Sequence, residues 1–279
     1  MSFWLRSATL QIGSYRFGLD QLTFEFTVSS EDTPTVSVAD IKVYNLSAST
    51  RGSISQGTPI ILNAGYADDR GALFLGEVSE YKHERSGTDW VTTIKAADSM
   101  TRWMSAVVNK TYDGPIYASE IIDDLLNIFG IEVGLFQLTT DLLYKRGRVC
   151  SGKLKDILVD IVTKDCGSRL VIRTGQILIN NPADGISTGV LLSPETGLLR
   201  TTSSGESIGS DTVATGKESS SSGSKSTLKR TCLMNYRIGV PDIVVVHDSQ
   251  VYGAYRVEKA FHKGSASGAW TTELELTPA

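Results

Sequence analysis

The chain has 279 residues, 41% hydrophobic and 21% charged, the composition of a globular protein able to bury a sizeable core. Its formal net charge of -4 argues against a protein built to grip nucleic acid, because neutralising phosphates needs a basic surface. No stretch approaches the roughly 18 apolar residues of a membrane span. The three cysteines, Cys150, Cys166 and Cys232, are odd in number and widely spaced, which argues against a disulfide framework and a thiolate metal site.

Residues 4 to about 100 read as β structure. Period-two alternation runs through Ala8–Ile12, Leu22–Val28, Val36–Tyr44 and Trp90–Ala96. Strands at that spacing predict a small antiparallel barrel or sandwich. Asn45–Gly57 breaks the alternation and is expected to connect strands, with a short helical turn around Ser49–Ile54. Asp68–Gly71 and Arg85–Asp89 have the chemistry of hairpin tips. The acidic excess lies wholly in residues 1–100, with 12 acids against 8 bases. The opening Met1-Ser2-Phe3-Trp4-Leu5-Arg6 lacks a secretory pattern, so synthesis and assembly in a cytosol are expected.

Near residue 101 the period changes. A helix is predicted over Ile116–Phe129, with Ile121, Ile122, Leu125, Leu126 and Phe129 on one face, Pro115 in its first turn and Gly130 at its exit. A second is predicted over Gly152–Cys166, with Leu154, Ile157, Leu158, Ile161 and Val162 at helical spacing and Gly167 as its C-terminal glycine. Arg169–Arg173 and Gln176–Ile179 then pair as a hairpin across Thr174-Gly175. Residues 190–200 open a second β unit. Residues 203–229 are polar, rich in Ser and Gly, and expected to form a flexible loop within it. Strands are expected to resume at Cys232. The predicted fold is thus mainly β with inserted α/β: a first barrel at 1–100, an α/β module at 101–189 and a second, similar antiparallel barrel at 190–279.

The two β units share an ordered set of landmarks, and repeats of this kind decide the reading of a fold. The first copy runs Gly57-Thr58-Pro59, Leu75-Gly76-Glu77-Val78, His83, Gly87 and Trp90-Val91-Thr92-Thr93. The second runs Gly239-Val240-Pro241, Tyr255-Arg256-Val257, His262, Gly268 and Trp270-Thr271-Thr272.

Sequence patterns for phosphate loops, nucleophile elbows and zinc-binding helices are missing. His83, His247 and His262 are never at ligand spacing to one another or to a cysteine. His83 and His262 occupy equivalent repeat positions, where a hydrogen-bonded structural role is expected. The pairs Asp68/Asp69 and Asp123/Asp124 fall on a hairpin tip and a polar helix face, where solvent-facing carboxylates are expected. Trp90 and Trp270 are expected to pack in the core or between strands. No catalytic, cofactor-binding or metal-ligating residue is assigned.

The strings Val43–Ser47, Gly57–Pro59, Ala64–Tyr66, Leu73–Val78 and Gly87–Trp90, followed by Pro194–Leu199, Tyr255–Val257, His262–Gly264 and Gly268–Leu274, resemble the baseplate hub proteins of tailed phages. Similar proteins occur in R-type bacteriocins and contractile injection systems. The resemblance implies two tail-tube-like barrels per chain and a homotrimer whose six barrels imitate sixfold symmetry. It implies the tail tube protein and central spike protein as partners, with wedge and tape measure proteins nearby, and DNA only in transit through a lumen. It also implies a place in the virion baseplate after assembly in the host bacterial cytoplasm, without stable membrane insertion. The chain is short beside larger members, so the spike is expected to be a separate chain. The competing readings are a peptidoglycan-hydrolysing tail component, which needs a carboxylate pair or Cys/His site in a cleft, and a sugar- or receptor-binding tip using Trp90 and Trp270.

Overall fold

The structure is a computed structural model that describes residues 5–32, 37–67, 69–98, 106–173, 175–199 and 227–279. The first β unit contains β1 (Arg6–Ile12), β2 (Tyr15–Gly18), β3 (Phe24–Glu31), β4 (Val38–Tyr44), β5 (Pro59–Tyr66), β6 (Asp69–Ser86) and β7 (Asp89–Asp98). The expected helical turn is α1 (Ala48–Ser53), where the Thr50 N–H donates to the Ser47 side chain at 3.1 Å. Alternation does what a period of two demands: Ala8, Leu10 and Ile12 of β1, Phe24, Phe26 and Val28 of β3, and Ala39, Ile41 and Val43 of β4 are all buried.

The middle segment holds β8 (Val107–Tyr112), β9 (Ile116–Tyr117), α2 (Ala118–Ile128), β10 (Glu132–Phe136), β11 (Leu143–Tyr144), β12 (Arg148–Lys153), α3 (Leu154–Val159), β13 (Arg169–Arg173) and β14 (Gln176–Asn180). Both predicted helical faces are buried except at Phe129, which caps the first helix and is half-buried, and Gly167 takes φ +61° where the second helix ends. The helix starts differ from expectation. Ile116 and Tyr117 belong to β9, so α2 begins at Ala118 rather than Ile116, its first turn closed by Glu120 accepting the Tyr117 N–H at 3.2 Å. Gly152 and Lys153 belong to β12, and α3 passes into a π-helical turn over Asp160–Asp165. The short strands β8 to β12 are unheralded in the sequence, because outward residues such as Val107 and Val149 are apolar and spoil the alternation.

The second β unit comprises β15 (Ile186–Leu192), β16 (Leu228–Leu233), β17 (Asp242–His247), β18 (Tyr252–Ser265) and β19 (Trp270–Pro278). Of the predicted polar loop, residues 203–226 lie outside the described residues. Leu228 and Lys229 are already in β16, so the strand resumes before Cys232.

The chain is mainly β, as expected, but not as two separate closed barrels. The strands of both units form one 12-stranded sheet, ordered β15-β17-β18-β3-β4-β7-β6-β5-β1-β2, with β16 and β19 attached through β18. Among the described residues no pairing closes either unit. The reason lies in β18: its Lys259–Ser265 half pairs with β19 on one edge and with β3 of the first unit on the other. Within this sheet β15 pairs in parallel with β17, and in the middle segment β10 pairs in parallel with β14. Three apolar cores result, one under each β unit and one in the middle segment, and Met234 and Trp270 of the second unit contribute to the first core.

Candidate functional site

The sequence repeat is a structural repeat. In each copy a strand runs out past its first partner to form a hairpin arm: β6 pairs with β5 and then β7, and β18 pairs with β17 and then β19. A bulge interrupts the register between Val78 and Glu80 in one arm and between Val257 and Lys259 in the other. Beyond it, His83 stands opposite Thr92 and His262 opposite Thr272. The imidazole Nδ1 is hydrogen-bonded to the threonine Oγ1 at 3.1 Å in the first arm and 2.9 Å in the second. The Trp90 carbonyl accepts the Asn45 N–H at 2.7 Å, and the Trp270 carbonyl accepts the Met234 N–H at 3.1 Å. Both histidines therefore have the hydrogen-bonded role expected of them.

Burial separates the copies. Trp270 is 3% exposed and meets the Phe26 ring edge-on at 5.7 Å. Trp90 is 39% exposed, with the Arg51 guanidinium 4.1 Å over its ring. Of the core or inter-strand packing expected for the two tryptophans, Trp270 has the core position, whereas Trp90 lies at an exposed position against Arg51. His262 is buried, and burial, helped by the Arg173 charge, pushes its pKa down to about 4, although a hydrogen bond to the Ile238 backbone opposes the shift. The landmark glycines also differ in cause. Gly57 has φ +82°, a conformation glycine tolerates, whereas a Cβ on Gly239 would lie 2.8 Å from the Arg173 guanidinium packed across it.

Charged side chains lock the three parts of the chain together. Arg173 of β13 donates to buried Asp242 of β17 at 2.7 Å and to the Arg237 carbonyl at 2.8 Å. Burial raises the Asp242 pKa despite that partner and the Gly239 N–H it accepts. Arg169 Nε lies 3.1 Å from Asp32 Oδ1. Burial lifts Asp32 to about 6; Arg169 opposes the rise and Glu258 adds to it. Arg256 donates to Glu258 at 2.5 Å and to the Pro182 carbonyl at 2.6 Å. Asp69 is not the solvent-facing carboxylate expected: it accepts Arg237 at 2.6 Å and the Tyr236 hydroxyl at 3.1 Å, tying the β5–β6 turn to the second unit. Asp68 lies outside the described residues. Asp124 stays on the solvent side as expected, its side chain 39% exposed while accepting Lys110 at 2.6 Å and the Tyr112 hydroxyl at 2.5 Å, and Asp123 accepts Asn127 at an exposed position.

The sequence reading missed this set of junctions. Its signal was available: Arg169 and Arg173 bracket the apolar run Leu170–Ile172, and Asp242 opens Ile243–Val246, places where a charge is tolerated only with a partner.

No reaction centre assembles from these groups. The three cysteines are free and buried, and burial pushes the Cys232 thiol up to about 12. Among the described residues, no cluster of His, Cys, Asp and Glu is arranged to hold a metal, and no helix is long and apolar enough to cross a membrane. A shallow concavity of about 420 Å³ is lined by Glu25, Asp40, Lys42 and Lys263 on the sheet face.

No protein-family profile and no curated protein sequence matches the chain. Solved structures do match, over nearly its whole length. The 43 kDa tail protein of prophage MuSo2 from Shewanella oneidensis superposes with a TM-score of 0.69 at 12% identity, covering 98% of each chain. A tail protein from Neisseria meningitidis gives 0.65 at 12% identity, over 98% of this chain and 97% of that one. An Escherichia coli component of the type VI secretion system, described as structurally similar to the T4 bacteriophage tail proteins gp27 and gp5, gives 0.59 at 10% identity over 97% and 76%. The chain has the fold of phage tail proteins.

Proposed function

We propose that this chain is a structural hub of a phage or phage-like tail baseplate, without catalytic activity of its own. Three copies form a ring in which six hairpin arms imitate sixfold symmetry. One face of the ring meets the hexameric tail tube and the other the trimeric central spike, with wedge and tape measure proteins as further neighbours. DNA passes through the lumen, and the acidic bias of residues 1–100 keeps it from sticking. In this reading the three parts are 1–100, 101–189 and 190–279, and the protein resides in the virion after assembly in the host cytoplasm.

The observation that carries the reading is the doubled arm with matched bulge, His–Thr pair and Trp carbonyl contact, within a fold shared with tail proteins. A threefold assembly that must contact a sixfold one needs two similar elements per subunit. Native mass spectrometry across a concentration series, with electron microscopy of the same sample, tests it. Three copies in a ring with an opening as wide as duplex DNA are expected. A chain that remains monomeric throughout overturns the ring.

A further inference from the structure

The matched bulge carries a different residue in each arm. In the first it is Ser79, whose hydroxyl donates to the Lys95 carbonyl of the same hairpin at 3.0 Å. In the second it is Glu258, which reaches out of its hairpin to the end of β3. The Asp32 N–H donates to the Glu258 carbonyl at 2.8 Å, one residue beyond the last rung of the β3–β18 ladder, Glu31 opposite Lys259. The two carboxyl groups also meet, joined by a hydrogen bond between the Asp32 and Glu258 side chains. Two ionised carboxylates cannot make that bond, because each only accepts; one proton must lie between them.

All three parts of the chain surround the pair. From the middle segment, Arg169 of β13 brings its Nε to 3.1 Å from Asp32 Oδ1, and the charge of Asp184 acts on that guanidinium. From the second unit, Arg256 donates to Glu258 at 2.5 Å and the Thr277 hydroxyl does so at 2.7 Å. Both guanidiniums also donate to the Pro182 carbonyl, ahead of β15. The Asp32 side chain is 8% exposed, and those of Arg169 and Arg256 are 9% exposed each. Hydrogen bonding here is incomplete. Asp32 Oδ1, Arg256 Nε, and Asn180 Oδ1 (opposite Arg169 in the β13–β14 ladder) are buried with no hydrogen-bond partner among the described residues. Arg169 thus faces Asp32 without the aligned, two-pronged contact that best compensates a buried carboxylate.

We infer that the Asp32–Glu258 pair is a proton-operated latch on the joint between the two β units: one shared proton holds the end of β3 on the bulge of β18, and loss of that proton releases it. The latch lies within a single chain, so it goes beyond the ring proposed above and does not depend on it.

The direction follows from the groups around the pair. Burial, with Arg169 opposing and Glu258 adding, raises Asp32 to about 6. Burial also works to raise Glu258, but hydrogen bonds from Arg256 and Thr277 outweigh it and hold that carboxyl below its ordinary range. The proton therefore sits on Asp32 and is donated to Glu258. Below pH 6 the latch is closed. Above it both carboxyls are ionised, the bond between them is gone, and like charges face each other. The serine in the first arm's bulge gives that arm no such dependence.

Amide-resolved hydrogen exchange of the full chain at pH 5 and pH 7, expressed as protection factors, tests the latch. With a midpoint of about 6, the protonated fraction is about tenfold smaller at pH 7 than at pH 5, and protection of the Asp32 N–H should fall by about that factor. Asp32→Asn replaces the shared proton with an amide N–H that donates to Glu258 at either pH, so its protection should be the same at both. Glu258→Gln tests the pair from the other side: its amide donates to ionised Asp32, and the pH dependence should again vanish. Equal protection of the wild-type Asp32 N–H at the two pH values overturns the latch. So does a fall that persists undiminished in either folded variant.

Discussion

The arms β6–β7 and β18–β19 were built to one plan and set in different surroundings. Both carry the bulge, the His–Thr pair and the Trp whose carbonyl accepts a backbone N–H. In the second arm His262, Thr272 and Trp270 are all buried, Trp270 against the Phe26 ring; in the first Thr92 is buried too, but His83 is half-buried and Trp90 is exposed. The comparison separates two things that a repeated sequence encodes. The hydrogen-bond skeleton is local to the hairpin and survives in either setting. Burial belongs to the neighbour, and with it most of the free energy, because removing apolar area from water contributes more than a solvated pairing does.

Four measurements sharpen or break that contrast. The largest effect is expected from the tryptophans. In urea denaturation Trp270→Ala should cost about 3–5 kcal/mol, the range for deleting a buried aromatic. Trp90→Ala should cost under about 1 kcal/mol in the unassembled chain. Equal losses would show that the arms are energetically alike and that the contrast is wrong.

Next comes the charged junction beside the second arm. Arg173→Ala strands Asp242 without its charged partner, and about 3 kcal/mol should be lost. Lys82→Ala, which breaks the exposed Lys82–Glu84 pair of the first arm, should change stability by about 1 kcal/mol or less. The Arg173→Ala loss should shrink as the pH falls, because Asp242 already has a raised pKa and takes up a proton.

The third test is pH. His262 has a folded pKa of about 4, below the ordinary value of 6.5, so between those values the unfolded chain binds the extra proton. Its contribution to stability is complete above pH 6.5 and is lost as the pH falls towards 4. Asp32 runs the other way: with a folded pKa of about 6, raised from 3.8, its protonated form stabilises the fold at low pH, and that contribution is lost as the pH rises through 6. The two oppose each other in the wild-type profile, so His262 is isolated by comparison with His262→Gln. Between pH 7 and pH 4 the wild type should lose on the order of 3 kcal/mol relative to the variant. Parallel melting curves would refute the buried neutral histidine.

The smallest contrast concerns the residues two positions past each histidine. Gly264→Ala places a Cβ 2.2 Å from the Phe26 ring and should cost about 1–3 kcal/mol by overpacking. Arg85→Ala, at the exposed counterpart, should stay within about 0.5 kcal/mol. Thermal melts of the two variants give the answer directly.

Much of the architecture was legible in the chain. Alternation marked β1, β3, β4 and β7, helical spacing marked the buried faces of α2 and α3, and the shared landmarks marked the doubled arm. The strands β8 to β12 were not legible, because they are short and have apolar residues such as Val107 and Val149 on their outer side. At the junction of Asp32, Arg169, Arg256 and Glu258 the sequence marks Arg169 as needing a partner but not which one, since the members lie far apart in sequence and only packing brings them together.

What the sequence determined by itself is whatever depends on near neighbours along the chain: strand and helix periods, turn chemistry, and the matched places of His, Gly and Trp in each hairpin. Only the tertiary structure decided that two similar units share one continuous sheet, that Trp270 is covered while Trp90 is not, and that among the described residues β3 pairs with β18 but no strand pairs with the matching edge of β6. Those outcomes turn on which distant strand occupies the second edge of β6 or β18. A backbone edge offers the same N–H and C=O groups whatever its side chains, so the choice is made by the packing of the whole sheet.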